Sequence, residues 1–341
     1  MNEPFRLGII GVGLVSTDRH LPAALASPEV IITALVDASL QRCQEVALQF
    51  GIKPKLSTAI ADILEDVDGV IIATPNHTHR ALATECLRAG IHTLIEKPMA
   101  TSVADCRAII ETGQQHHAVV AVGYTTRFDK KNQLMGELIR SGFFGRIKRF
   151  AYAFGTAGGW APVSGYNLDR NCIGGGVVAV SGSHFLDRML QWFGYPDEFD
   201  YADDSEGGPE ANAIATMRFG SGQTLVEGHM RLSKTVSLKS GLVLDTEEGI
   251  VILPEEFGTH IRLRAKRNPS ITMTISPRND SGGKRIIYQR QLENFVEACQ
   301  QGGIPEVSGQ QGLESVRLIQ EMYAKKRSLV CDSYKSLWEA I

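Results

Sequence analysis

The sequence predicts an α/β protein in two parts: a doubly wound parallel sheet over residues 1–123, then an α+β domain over 124–341 with a large, mostly antiparallel sheet. Three observations carry this prediction. Val- and Ile-rich runs of strand length alternate with amphipathic stretches in the first third of the chain. Glycine then becomes dense between Gly155 and Gly182. Short apolar segments separated by turn residues fill about 213–287. A length of 341 residues agrees with two domains.

In the first part, Leu7–Ile10, Ile31–Val36, Gly69–Ala73, Thr93–Ile95 and Ala118–Val122 read as strands. They show little in–out alternation, as expected of parallel strands covered on both faces. Ser39–Phe50 opens on a capping Ser and stops before Gly51, Thr78–Ala89 stops before Gly90, and Ser102–His116 has apolar residues at helical spacing. Past Gly123 the texture changes, and the boundary near Gly123–Phe128 reads as a hinge. Ser183–Phe193 is a strong helix. Strands are expected at Ala213–Phe219, Thr224–Met230, Leu242–Thr246 and Gly249–Leu253. Turns at Gly220-Ser221-Gly222, Glu247-Glu248-Gly249, Asn268-Pro269 and Ser281-Gly282-Gly283 separate the segments of this region. Helices at Ile287–Gln301 and Gln310–Lys326 close the chain, the last (about 310–326) left free to pack back on the first domain.

Composition narrows the function classes. Formal net charge is −3, which argues against a general nucleic-acid surface, since phosphate contacts need clustered Lys and Arg. The one basic cluster, Lys325, Lys326 and Arg327, reads as a solvated helix end. Six cysteines form no CxxC pair and none sits at metal-ligand spacing with histidine, so reduced thiols and no metal are expected. The apolar run Leu7–Val15 is too short to span a bilayer, and no basic leader precedes it. A cytoplasmic protein with no membrane partner is the expectation.

Chemistry first appears in Gly8-Ile9-Ile10-Gly11-Val12-Gly13-Leu14-Val15-Ser16. Gly11 and Gly13 place GxG directly after a strand and before a helix. A tight turn and close approach of a pyrophosphate both need residues without a Cβ, and the helix N-terminus offers free N–H groups to phosphate. The third glycine of the fingerprint is Ser16 here. Asp37, 24 residues beyond Gly13, ends the second apolar strand, where a carboxylate accepts hydrogen bonds from ribose hydroxyls. The first part is therefore expected to be a Rossmann domain. Asp37 would repel a 2′-phosphate, favouring NAD, while Arg42 on the next helix leaves NADP open.

Three further segments make the pattern specific: Ala73-Thr74-Pro75-Asn76-His77-Thr78-His79, Glu96-Lys97-Pro98, and Gly174-Gly175-Gly176 followed by His184-Phe185-Leu186-Asp187. With the GxG loop, this ordered set resembles the Gfo/Idh/MocA family, named for glucose–fructose oxidoreductase and inositol dehydrogenase. The resemblance implies a hydride transfer between a nicotinamide cofactor and a secondary alcohol of a sugar, cyclic polyol or sugar derivative. It implies a cofactor site at Gly11, Gly13, Leu14, Val15, Asp37, Thr74, Pro75, Asn76, His79, Glu96 and Lys97. His77 is read as a polar residue at a helix start, with no ligand. Lys97, at a strand's carboxyl end, is implied to touch nicotinamide and substrate hydroxyl, where an ammonium stabilises developing alkoxide charge. His184 is implied to be the proton acceptor, with Asp187 three residues on sharing its helix face. Tyr124 and Arg127, at the domain junction, with Trp160, Tyr166, Asp169 and Arg170, are candidates for substrate recognition. A mostly antiparallel sheet covered by few helices also suggests a homodimer or homotetramer, as relatives commonly pair through this sheet.

The chain departs from the family at one position. The family's usual Asp, four residues after the third glycine, is Val180 here. Val accepts neither proton nor hydrogen bond. Two alternatives therefore stand beside the dehydrogenase: a non-catalytic NAD-dependent sugar-sensing or sugar-binding protein, and an NAD-dependent glycosidase.

Overall fold

The computed structural model describes residues 3–158, 165–278 and 283–329. These form two compact units: Met1–Asp129 with Gly282–Val316, and Lys130–Ser281 with the chain from Arg317 onward.

The first unit is a six-stranded parallel sheet of β1 (Phe5–Ile10), β2 (Val30–Val36), β3 (Lys55–Ser57), β4 (Gly69–Ile72), β5 (His92–Ile95) and β6 (Val120–Val122). Its order, β3-β2-β1-β4-β5-β6, reverses direction between β1 and β4. That reversal opens a crevice at the carboxyl ends of the strands, the place where open α/β sheets bind ligands. Helices α1 (Leu21–Leu25), α2 (Leu40–Phe50), α3 (His79–Arg88) and α4 (Val103–Gln115) connect the strands. Ser39 caps α2 by accepting from the Arg42 N–H at 3.2 Å, and Ser102 caps α4 by accepting from the Asp105 N–H at 3.1 Å. The one strand not foreseen, β3, is three residues long and too short to carry a periodic signal. One sheet face buries Phe5, Leu7, Ile71 and Leu94 against Leu292, Phe295 and Val296 of a late helix, residues Lys284–Gln301.

The second unit is built on a nine-stranded sheet. Its strands are β7 (Ile147–Gly155), β8 (Glu198–Asp203), β9 (Asn212–Phe219), β10 (Val226–Ser233), β11 (Leu238–Thr246), β12 (Gly249–Pro254), β13 (Ile261–Ala265), β14 (Thr272–Ile275) and β15 (Arg327–Ser328). The order is β14-β13-β12-β11-β7-β10-β9-β8-β15. Pairing is antiparallel except between β7 and β10 and between β8 and β15. Helices α5 (Lys130–Arg140), α6 (Arg170–Ile173) and α7 (Ser183–Phe193) precede most of these strands; the late helix Lys284–Gln301 is α8, and α9 runs Gly309–Ala324. One sheet face forms the core, where Phe150, Tyr152, Met217, Leu232 and Leu244 meet Met135 of α5 and Phe185, Met189 and Trp192 of α7. Tyr152 and Phe185 stack with ring centroids 3.7 Å apart. The opposite face carries the cross-strand row Thr216, His229, Ala151, Val243, Ile252 and Arg262, which is half-buried or exposed.

Two sequence expectations are corrected. The sheet recruits β7 and β8 from ahead of 213, because β7 supplies its centre and β8 pairs with β9. The cluster Lys325–Arg327 is not a solvated helix end. Lys326 Nζ donates to Ser205 Oγ at 2.7 Å and lies 3.2 Å from the fully buried Asp203 carboxylate. Arg327 belongs to β15 and pairs with Asp200 at 3.1 Å.

Candidate active site

In the first unit, the loop after β1 has the geometry a dinucleotide demands. Gly11 sits at φ +87°, and a Cβ there would lie 2.8 Å from the Ala73 carbonyl, so only glycine fits. A Cβ on Gly13 would meet nothing within 4 Å; the chain is open on that side, with Leu14 exposed and Val15 half-buried beside it. Ser16, the small residue in the third glycine's place, is fully buried and donates to the Gly11 carbonyl at 2.5 Å, closing the loop on itself. Asp37 braces the same loop. Its two oxygens accept from the Val12 and Ser39 N–H groups, each at 3.0 Å. Arg42 Nε donates to the Val12 carbonyl at 3.2 Å, next to this carboxylate.

The carboxyl ends of β4 and β5 are stitched together. His79, fully buried at the start of α3, has Nε2 2.9 Å from the Thr74 carbonyl and Nδ1 3.2 Å from the Pro98 carbonyl. Burial lowers its pKa, and the two carbonyl partners oppose that shift; the ring lies between the two loops. Thr74 and Thr78 hydroxyls are 2.7 Å apart, and Thr78 also donates to the Pro75 carbonyl, which shapes the Thr74-Pro75-Asn76 turn. The Lys97–Pro98 peptide is cis. Lys97 is half-buried; burial lowers its pKa below the ordinary lysine value and Glu96 opposes that shift. Glu96 is paired in turn: its Oε1 is 2.8 Å from His20 Nε2, and its Oε2 accepts the Lys97 N–H at 3.1 Å. Burial pushes the Glu96 carboxyl up, but the His20 hydrogen bond and charge, with Lys97, outweigh it and leave the pKa below the usual carboxylate value. Tyr288 of α8 packs edge-on against His20 with centroids 5.1 Å apart. Tyr124 and Arg127, both buried, lie in the turn after β6.

In the second unit, the triple glycine leads into a wide π-helical turn, Val178–Gly182, and then into α7. Such turns recur at functional sites. Because Val180 lies in this wide turn and His184 in α7, the two are not at ordinary α-helical spacing. His184 is half-buried in the first turn of α7, and Asp187 is fully buried. Arg188 anchors α7 from the same side: its Nη2 meets both Glu255 oxygens at 2.8 and 3.0 Å, Nη1 donates to Asn132 Oδ1 at 3.0 Å, and Nε to the His184 carbonyl at 3.3 Å. Asp169 caps α6 through the Asn171 N–H at 2.9 Å, and the Arg170 guanidinium lies 4.9 Å over the Tyr323 ring. Trp160 and the side chain of Tyr166 lie outside the described residues.

The sequence reading missed His20, Tyr288, Arg188, Glu210 and Tyr323. Each acts through a partner distant in the chain, as with the 76 residues between His20 and Glu96, and no local pattern marks such a pair. Among the described residues no cluster of His, Cys, Asp or Glu is arranged to hold a metal ion, and no helix is long and apolar enough to cross a membrane.

Comparison with known proteins agrees with this geometry. Residues 5–124 match the model of an oxidoreductase family's NAD-binding Rossmann fold, and 136–329 match the same family's C-terminal α/β domain. A myo-inositol 2-dehydrogenase of Thermotoga maritima is 25% identical over 95% of this chain and 96% of its own. A 1,5-anhydro-D-fructose reductase of Ensifer adhaerens is 25% identical over 91% of this chain and 93% of its own. The same fold is present in an aldose–aldose oxidoreductase of Caulobacter crescentus (TM-score 0.84, 24% identity, 95% of this chain and 97% of that one). It is present too in a levoglucosan dehydrogenase solved with NADH and levoglucosan (TM-score 0.83, 19% identity, with the same coverage). With both of its domains matched in order, the chain belongs to the Gfo/Idh/MocA family and is an NAD(P)-dependent oxidoreductase.

Proposed function

We propose that the protein transfers a hydride between NAD and a secondary alcohol of a sugar, cyclic polyol or sugar derivative. The observation that carries this reading is the half-buried Lys97, its pKa lowered by burial, with its backbone N–H on Glu96 Oε2, at the carboxyl end of β5 in the same unit as the GxG loop. The sugar and polyol substrates named for the relatives support the substrate class.

In this reading the Gly11–Ser16 loop takes the pyrophosphate, Asp37 the adenosine ribose, and the Thr74-Pro75-Asn76 turn flanks the cofactor, with His79 holding that turn in place. Bound NAD supplies the hydride acceptor. Lys97 stabilises negative charge at the substrate oxygen, and His184 takes the hydroxyl proton at its imidazole, whose ordinary pKa of about 6.5 suits that step. Tyr124, Arg127 and Asp187 remain candidates for substrate contact. Asp169 and Arg170 are already engaged, with α6 and with Tyr323, which favours a structural role for both. The protein is further proposed to be cytoplasmic and to self-associate through the open face of the nine-stranded sheet.

One observation favours a second reading. Val180 removes the family's carboxylate near His184, which suits a sensor that holds NAD and a sugar without turnover. Purified protein mixed with NAD⁺ and a panel of inositols and aldoses, followed by NADH absorbance, separates the two. Turnover of any of them supports the dehydrogenase; saturable sugar binding without NADH formation supports the sensor and removes the first reading.

A further inference from the structure

We propose that Glu210 and Tyr323 are positioning residues for His184, capping from outside the helical stretch that carries it. This rests on the reading of His184 as proton acceptor. Helical stretches begin with N–H groups that have no partner one turn back. Here the first three are met by two residues far away in the chain. The Gly176 N–H donates to the Tyr323 hydroxyl at 3.3 Å, the Val177 N–H to the Glu210 carbonyl at 2.8 Å, and the Val178 N–H to Glu210 Oε1 at 3.0 Å. The Tyr323 hydroxyl donates to the same Oε1 at 2.7 Å, closing the network.

This network accounts for the glycines that precede it. Gly175 has φ +154°, and a Cβ on it would collide with the Tyr323 hydroxyl. A Cβ on Gly176 would collide with the Glu210 backbone and lie 2.6 Å from its Oε2. Two of the three glycines are therefore required by the packing of Glu210 and Tyr323. Tyr323 is held on its other side, under the Arg170 guanidinium at 4.9 Å and edge-on to Tyr201 at 5.9 Å. Glu210 is fully buried, with Oε1 accepting two hydrogen bonds and Oε2 none. Burial raises the Glu210 pKa, and the hydrogen bonds from Tyr323 and the Val178 N–H oppose that shift. The stretch so capped is the wide turn Val178–Gly182, whose extra residue sets the rotation at which α7 starts and thus the direction of the His184 ring.

The test uses the full chain labelled at histidine with ¹³C and ¹⁵N, the His184 signal being assigned by its loss in His184→Ala. Glu210→Ala is expected to displace that signal and move its titration midpoint by at least about half a pH unit. On a polyol that the wild type oxidises, it is expected to lower kcat at least about tenfold, with KM changed much less. Glu210→Gln keeps the acceptor at Oε1 and is expected to restore both readouts. Where Glu210→Ala does not fold, Tyr323→Phe, which removes one hydroxyl, is read in the same way. A His184 signal and midpoint unchanged in folded Glu210→Ala or Tyr323→Phe overturns the proposal. Should the wild type oxidise none of the inositols or aldoses, the proposed function fails, and the titration still decides the positioning role.

Discussion

Asp37 is the residue on which cofactor choice turns. Each of its oxygens already accepts one backbone N–H, and a carboxylate has about four acceptor sites, so capacity remains for ribose hydroxyls. Asp37→Ala is expected to weaken NAD at least about tenfold, the scale of a lost charge-assisted hydrogen bond. NADP should weaken less, because repulsion of its 2′-phosphate disappears with the carboxylate; calorimetric titration of both cofactors checks this, and unchanged NAD affinity contradicts it. Lys97→Ala and His184→Ala are each expected to lose about 10²–10⁴ in turnover on an oxidised polyol, with NAD affinity changed much less. Wild-type-like turnover in Lys97→Ala would refute its role. Gly11, Gly13 and Asp37 were legible in the sequence because a strand, a tight turn and a following acid lie close together in the chain. His20 was not, since nothing near it announces Glu96.

At the scale of elements, two wide turns stand out, Ser16–His20 and Val178–Gly182. The first delivers His20 to Glu96. His20→Ala leaves a buried carboxylate without its main partner, and breaking such a pair typically costs about 3–5 kcal/mol. The pH dependence follows from the lowered Glu96 pKa. A depressed carboxylate contributes stability above its unfolded value and loses it as pH falls through the folded one. The stability gap between wild type and His20→Ala, measured by urea unfolding, should therefore be full at neutral pH and shrink below about pH 4. A gap independent of pH would count against the pairing. The helices α2, α4 and α7 were readable from capping residues and apolar spacing. Strand β8, Glu-Phe-Asp-Tyr-Ala-Asp, was not: its inward Asp203, fully buried, interrupts a short polar–apolar alternation, and pairing with β9 is what makes it a strand.

At the scale of the whole molecule, the outer row of the nine-stranded sheet is the feature that calls for a partner. Ala151, Val243 and Ile252 lie side by side there, and Val243 is 39% exposed. Light scattering at micromolar concentration is expected to give a dimer or tetramer, and Val243→Arg with Ile252→Arg to shift it towards monomer, since charges at an interface centre are poorly tolerated. A monomeric wild type would sink this. By itself the sequence determined what local physics encodes: buried parallel strands from unbroken apolar runs, helix ends from Ser and Gly, the glycine turn after β1, and the acid that ends β2. Only the tertiary structure decided that β7 sits at the centre of a sheet whose other strands come mostly later in the chain, that Lys326 reaches the buried Asp203, and that Glu210 and Tyr323, 113 residues apart, meet at the triple glycine. Those contacts join residues with no shared period or turn, and the free energy that selects them, burial together with hydrogen bonds between distant polar groups, exists only once the chain is packed.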